Sequence, residues 1–255
     1  MPGQLLRTDT VTGTPSSVSP LRTALRLGRV SNLPTVWSNV LAGLVLAGAA
    51  WTPGRTAALA AGLSCFYVGG MYLNDYFDRG IDARERPERP IPAGEVRAGV
   101  VLAAGLALLG AGEAVVAVIA WSAGGTGWAP VVAGLALASA IVAYDLHHKG
   151  NPMSPFLMAL CRVLVYVVAA LSAAVAFPLA LAVGCGVLLA YLVALTWIAK
   201  HERRLPWAPS IGVLVACISL VDAALVLAQG AVGTAAVCAA CVPLTRALQR
   251  RVPGT

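Results

Sequence analysis

Apolar runs of about 18–23 residues recur along the chain, separated by short polar stretches. A helix of that length crosses a bilayer core of about 30 Å. The runs fall at roughly 33–51, 56–74, 98–120, 127–145, 155–176, 178–199, 207–229 and 231–248. The pattern predicts about eight spans and an all-α, polytopic transmembrane helical bundle. Runs 155–176 and 178–199 are split only by Phe177-Pro178, so that hairpin is the least marked boundary. Positive residues predict the orientation. Arg7, Arg22, Arg26 and Arg29 precede the first span, and Arg79, Arg84, Arg86, Arg89 and Arg97 lie between the second and third. Lys149 and Arg162 flank the fourth-to-fifth connection; Lys200, Arg203 and Arg204 follow the sixth, and Arg246, Arg250 and Arg251 close the chain. With eight alternating spans all of these share one side, and only Arg55 falls on the other. Both termini are therefore expected in the cytoplasm, with the protein in the cell (inner) membrane.

Composition agrees. The chain is 58% hydrophobic and 11% charged, with a mean hydropathy of +0.79; soluble domains carry about 25% charged residues. The net charge of +7 then reflects cytoplasmic loops, and no nucleic-acid module is visible. The N-terminal stretch is rich in Thr, Ser and Pro and lacks the apolar region of a cleaved signal peptide. Residues 1–26 are expected as a disordered cytoplasmic tail and 27–255 as one transmembrane domain. The six cysteines lie in or beside apolar runs and suggest no disulfide or zinc framework. The spacing of Cys238 and Cys241 suits small residues packing helix on helix.

The polar chemistry concentrates in NDYFDRGIDARERPERPIPAG, residues 74–94, directly after the second run. If the helix continues, Asp75, Asp78 and Asp82 stand at i, i+3 and i+7 on one face. Three carboxylates so placed repel unless a cation holds them. Oxygen donors of this kind suit Mg²⁺, which is commonly bound by one or two carboxylates plus substrate phosphates. Arginines just beyond suit bidentate contacts to the same phosphates. The alternative is a solvated loop of paired acids and arginines.

This segment resembles the first aspartate-rich motif of the UbiA superfamily of intramembrane prenyltransferases, N-D-x-x-D-x-x-x-D followed by Arg and R-P-[IL]-x-x-G. The matching positions are Asn74, Asp75, Asp78, Asp82, Arg86, Arg89, Pro90 and Gly94. The resemblance extends from about Leu27 onward, although members of the family usually have nine helices. It implies a UbiA-like bundle with a substrate cavity open toward the membrane. It also implies Mg²⁺-assisted transfer of an isoprenoid chain from a polyprenyl diphosphate to a small-molecule acceptor, commonly aromatic, at a cytoplasmic site among membrane lipids. Asp75, Asp78 and Asp82 are then the metal ligands and catalytic acids. Asn74, Arg86 and Arg89 are expected to bind the diphosphate. Tyr144 and Lys149 match a family pattern at the end of span 4, Tyr144 lining the prenyl site and Lys149 binding diphosphate. Arg162, an intramembrane charge and so expected to face a cavity, joins the diphosphate set or partners Asp145. The His147-His148-Lys149 loop also reads as an ordinary positive-inside feature.

The family's second aspartate-rich motif, after span 6, is replaced here by TWIAKHERRLPWAP, whose only acid is Glu202. This change, with SNLPTVWSN and LCRVLVY, resembles a divergent EboC-like branch of the family. In span 1, Asn32 and Asn39 are one heptad apart and are candidates for an acceptor pocket; interhelical hydrogen bonding is the alternative. Glu113 and Asp222 are deep acids, read either as functional groups or as neutral acids bonded to a neighbouring helix. The leading expectation is a Mg²⁺-dependent prenyltransferase. The alternatives are a non-catalytic or transport protein on the same scaffold that binds an isoprenoid or lipid-like compound, and an unrelated transporter working through Glu113 and Asp222.

Overall fold

The computed structural model describes residues 19–49, 52–122, 124–147, 150–174, 176–201, 209–252 and 254. Ten α-helices follow one another: α1 Pro20–Leu27, α2 Leu33–Leu46, α3 Pro53–Glu85, α4 Ala98–Trp121, α5 Trp128–His147, α6 Ser154–Leu171, α7 Leu179–Lys200, α8 Ile211–Ala216, α9 Ile218–Ala228 and α10 Val232–Gln249. A single 3₁₀ turn, Val30–Asn32, precedes α2, and the described residues contain no strand. Among the described residues, seven helical stretches are long and apolar enough to cross a membrane, with α8 and α9 counting as one, Ile211–Ala228.

The first expected span differs. With its 3₁₀ turn it covers only Val30–Leu46, about 25 Å of helix, and stops at Gly48, whose φ of +66° is left-handed. Burial explains the shortness. Ten of the 14 residues of α2 are buried, and α3, α6, α7, α9 and α10 all pack against it. A helix walled in by protein has no lipid thickness to match.

The boundary expected at residue 27 also moves. Ser19 caps α1 by accepting from the Arg22 amide, and Pro20 occupies its first turn. Arg26 pairs with Glu95 at 2.9 Å and also donates to the Glu88 carbonyl. Thr23 donates to Glu95, and the Tyr72 hydroxyl donates to the Ala24 carbonyl. Residues 20–26 are thus part of the folded unit, pinned to α3 and to the segment after it.

Helix α3 runs 33 residues, about 50 Å, so its last third extends past an apolar core of about 30 Å. It lies close against α4 through glycines. A Cβ at Gly69 would stand 2.9 Å from the Gly105 carbonyl oxygen, and one at Gly112 would stand 2.8 Å from that of Gly62. Close approach through small residues compensates for the weak hydrophobic drive between helices in lipid. At the end of the bundle where α3 carries its acids, the turn before α2 meets the end of α10 and the segment after it. Asn32 donates to the Gly254 carbonyl at 2.9 Å and accepts from Gln249 at 2.9 Å.

Candidate functional site

Because α3 continues through the acidic motif, Asn74, Asp75, Asp78 and Asp82 lie along one helix, and all four are buried. Two arginines from separate segments close on them. Arg29 Nη2 donates to Asp75 Oδ1 at 3.0 Å and to Asn74 Oδ1 at 3.2 Å. Its φ of 43° is the only left-handed one among the described non-glycine residues; the tight turn between α1 and the 3₁₀ turn aims its side chain at α3. Arg89 Nη1 donates to Asp75 Oδ1 at 2.6 Å and stands 3.7 Å from Asp82 Oδ2. Helix α5 adds a fourth acid, since Asn74 Nδ2 donates to buried Asp145 at 3.3 Å. Tyr144, half-buried beside it, is close enough to Asp145, Arg29 and Asp78 to feel their charges.

Several expected residues fall elsewhere. Arg86 caps α3 in an exposed position and enters none of the ion pairs among the described residues. Arg162 donates to Asn39 at 3.0 Å and lies over the Tyr67 ring. Asn39 is fully buried and donates to both oxygens of Asp222. Asn32 ties Tyr67, Gln249 and Gly254 together. Both asparagines thus bridge separate segments through these hydrogen bonds. Lys149, like Glu202, Arg203 and Arg204 of the altered second motif, lies outside the described residues. Of that motif, Lys200 donates to Ser154 at 3.0 Å, and the His201 ring packs on Trp197.

Two site residues escape a reading by motif alone. Arg29 counts in the sequence as one more cytoplasmic charge, and Asp145 as an extra acid. The available signal was position: each ends or begins an apolar run at the end of the bundle that holds the motif.

The donors fit Mg²⁺ in kind. Asp75, Asp78, Asp82 and Asp145 offer hard oxygen ligands, and Asn74 an amide oxygen. Among the described residues no three acids, imidazoles or thiols close around one point. A Mg²⁺ here would therefore be shared with the oxygens of an anionic substrate, the usual arrangement for this ion. Two apolar grooves, about 560 Å³ on α7 and about 750 Å³ on α4, lie on other faces and contain none of these residues.

Comparison with known proteins places the chain in context. The sequence pattern of the UbiA prenyltransferase family matches residues 36–251. A digeranylgeranylglyceryl phosphate synthase of Methanopyrus kandleri is 38% identical over 99 residues, 38% of this chain and 36% of that protein. The synthase of the same name from Ignicoccus hospitalis is 40% identical over 92 residues, 36% of this chain and 30% of that protein. The matched stretch thus spans about a third of the length of these curated relatives. The solved structure of a UbiA homolog from Archaeoglobus fulgidus bound to DMAPP and Mg²⁺ superposes with a TM-score of 0.60 at 15% identity, covering 89% of this chain and 98% of that one. The same homolog bound to GPP and Mg²⁺ gives 0.60 at 14% identity, covering 89% and 99%. At such identities the likeness establishes the fold.

Proposed function

The chain belongs to the UbiA prenyltransferase family, and on that premise we propose that it is a Mg²⁺-dependent intramembrane prenyltransferase moving an isoprenyl chain from its diphosphate to a small-molecule acceptor. One observation carries the reading. Three acids of one helix face are buried at one end of a membrane bundle, and two arginines from separate segments close on the face, Arg29 at Asp75 and Arg89 at Asp75 and Asp82.

One or two carboxylates from among Asp75, Asp78, Asp82 and Asp145 would hold Mg²⁺ together with diphosphate oxygens, and the ion would neutralise the diphosphate and make it a better leaving group. Arg29 and Arg89 take phosphate oxygens as forked donors and stabilise the charge that grows on the leaving diphosphate. Asn74, tied to Arg29 and Asp145, keeps the two in register. Tyr144 lines the site, and the surrounding apolar helices keep water from the allylic cation formed as the C–O bond breaks. The names of the curated relatives support a glyceryl phosphate-type acceptor; an aromatic acceptor is the other class to be tried. The distribution of Lys and Arg supports a site and termini on the cytoplasmic side.

A second reading, isoprenoid binding or transport without chemistry, is favoured by the loop after α7, where Glu202 is the single acid. Binding of geranylgeranyl diphosphate to purified protein, with and without Mg²⁺, separates the cases when followed by release of diphosphate on adding acceptors. Wild type is expected to bind only with Mg²⁺, Asp78→Asn to lose that binding, and diphosphate to be released with one acceptor class. Binding without release points to the second reading. Absence of binding for every prenyl chain length would sink the diphosphate site.

A further inference from the structure

Arg162 sits near the middle of α6, at a depth where a charged side chain is costly and calls for a purpose. It turns inward. Nη1 donates to Asn39 Oδ1 at 3.0 Å, and the guanidinium lies 5.2 Å from the centre of the Tyr67 ring, within range of a cation–π contact. Behind Asn39 stands Asp222, fully buried. Asn39 donates to its two oxygens at 3.0 and 2.9 Å, Ser38 donates at 2.5 Å, and the Tyr166 hydroxyl donates as well. Asp222 therefore holds Asn39, and Asn39 holds Arg162.

A guanidinium carries five N–H donors. Among the described residues, one acceptor serves Arg162. The other donors are not sealed in apolar packing: the side chain keeps accessible surface, and none of its nitrogens is among the buried polar atoms without a partner. Arg162 and Tyr67 are both only partly buried, so the guanidinium keeps some accessible surface on the Tyr67 side, while Asn39 behind it is fully buried.

That surface is distinct from the diphosphate site. Tyr67 precedes Asn74 by seven residues on one face of α3, two turns or about 10 Å deeper. The two places are near one another, because Cys161, next to Arg162 in the chain, lies close enough to Asp145 to feel its charge. We propose that Arg162, positioned by Asn39 and Asp222, anchors the anionic head group, phosphate or carboxylate, of the acceptor. This rests on the transfer reading above and sharpens its substrate class. An acceptor held at this depth would point its nucleophile toward the carbon that leaves the diphosphate.

Binding tests the assignment without turnover. The probes are geranylgeranylglyceryl phosphate, geranylgeranoic acid and neutral geranylgeranylglycerol, each measured in detergent without Mg²⁺ so that the acidic cluster holds no phosphate. Wild type is expected to bind at least one anion about tenfold or more tighter than the neutral probe, and the two anionic arms tell phosphate from carboxylate. Arg162→Gln should erase this preference while keeping Mg²⁺-dependent geranylgeranyl diphosphate binding. No preference in wild type, a preference that survives in Arg162→Gln, or loss of diphosphate binding in that folded variant would each overturn the assignment. Arg162→Lys covers the case in which the Gln variant does not fold. Weaker anion binding with the neutral probe unaffected supports the anchor; all three probes unchanged, or weakened equally, overturn it. Wild type that prefers the anions but never binds geranylgeranyl diphosphate would sink the transfer reading and leave the anion site standing.

Discussion

Two acids deep in the bundle show what an intramembrane carboxyl can become. Asp222 receives hydrogen bonds from three side chains on α2 and α6, so it clamps those helices to α9. This fits the expectation of a bonded acid. Glu113 differs: both of its carboxyl oxygens are buried without a partner among the described residues, and it lies against Gly134 on α5. The clamp makes an ordered prediction. Asn39→Leu removes the link to Arg162 and strips Asp222 of two hydrogen bonds, leaving buried charge short of partners at a cost of about 3–5 kcal/mol. Tyr166→Phe removes one donor among several and should cost about 1 kcal/mol. Thermal melting in detergent checks the order; a larger loss for Tyr166→Phe would show that the network does not work through Asn39. In the candidate site, Asp75 carries the contacts to both Arg29 and Arg89. Its replacement by Asn should therefore weaken diphosphate binding through the arginines as well as through Mg²⁺.

At the scale of the element, α3 joins the membrane core to the site. Its glycines play two roles that the sequence does not distinguish. Gly69 faces the backbone of α4, whereas Gly80 is exposed with nothing within 4 Å of a built Cβ. Gly69→Ala should push α3 off α4 and destabilise by about 1–3 kcal/mol, the usual cost of overpacking. Gly80→Ala should stabilise by about 0.5–1 kcal/mol, because an exposed helical glycine only adds backbone freedom. Opposite shifts in melting temperature are the expected result, and shifts of the same sign would contradict this packing. The break between α8 and α9 at Cys217 has its own support: the Tyr191 hydroxyl donates to the Leu214 carbonyl at 2.7 Å. A hydroxyl inserted at a helix break satisfies a carbonyl that lipid cannot.

At the scale of the molecule, α10 packs back on α2 and the 3₁₀ turn. The turn before α2 and the end of α10 are thus drawn to the end that holds the acids, while Arg55 donates to the carbonyls of Gly124 and Ile119 at the other. The sidedness proposed from Lys and Arg can be measured with fusions. A fluorescent reporter that folds only in the cytoplasm should light up at the C-terminus and after Arg84, and stay dark when inserted at Gly127. A bright reporter at Gly127 with dark ones elsewhere would invert the molecule.

The all-helical membrane class and the acidic motif were legible in the chain because both are local. Bilayer thickness sets the run length, and helical periodicity alone puts Asp75, Asp78 and Asp82 on one face. The hairpin at Phe177-Pro178, the least marked boundary in the sequence, is where the structure ends one helix and starts the next, with Pro178 at the cap of α7. What tertiary structure decided is which distant side chains meet. Arg29 and Asp145 stand against the acidic helix, Arg86 is exposed at its end, and Arg162 reaches Asn39, which in turn holds Asp222. Packing also made α2 a short buried strut and drew residues 20–26 into the fold. Partners at these separations are chosen by how helices stack and turn about their axes, and a one-dimensional pattern holds no record of that rotation.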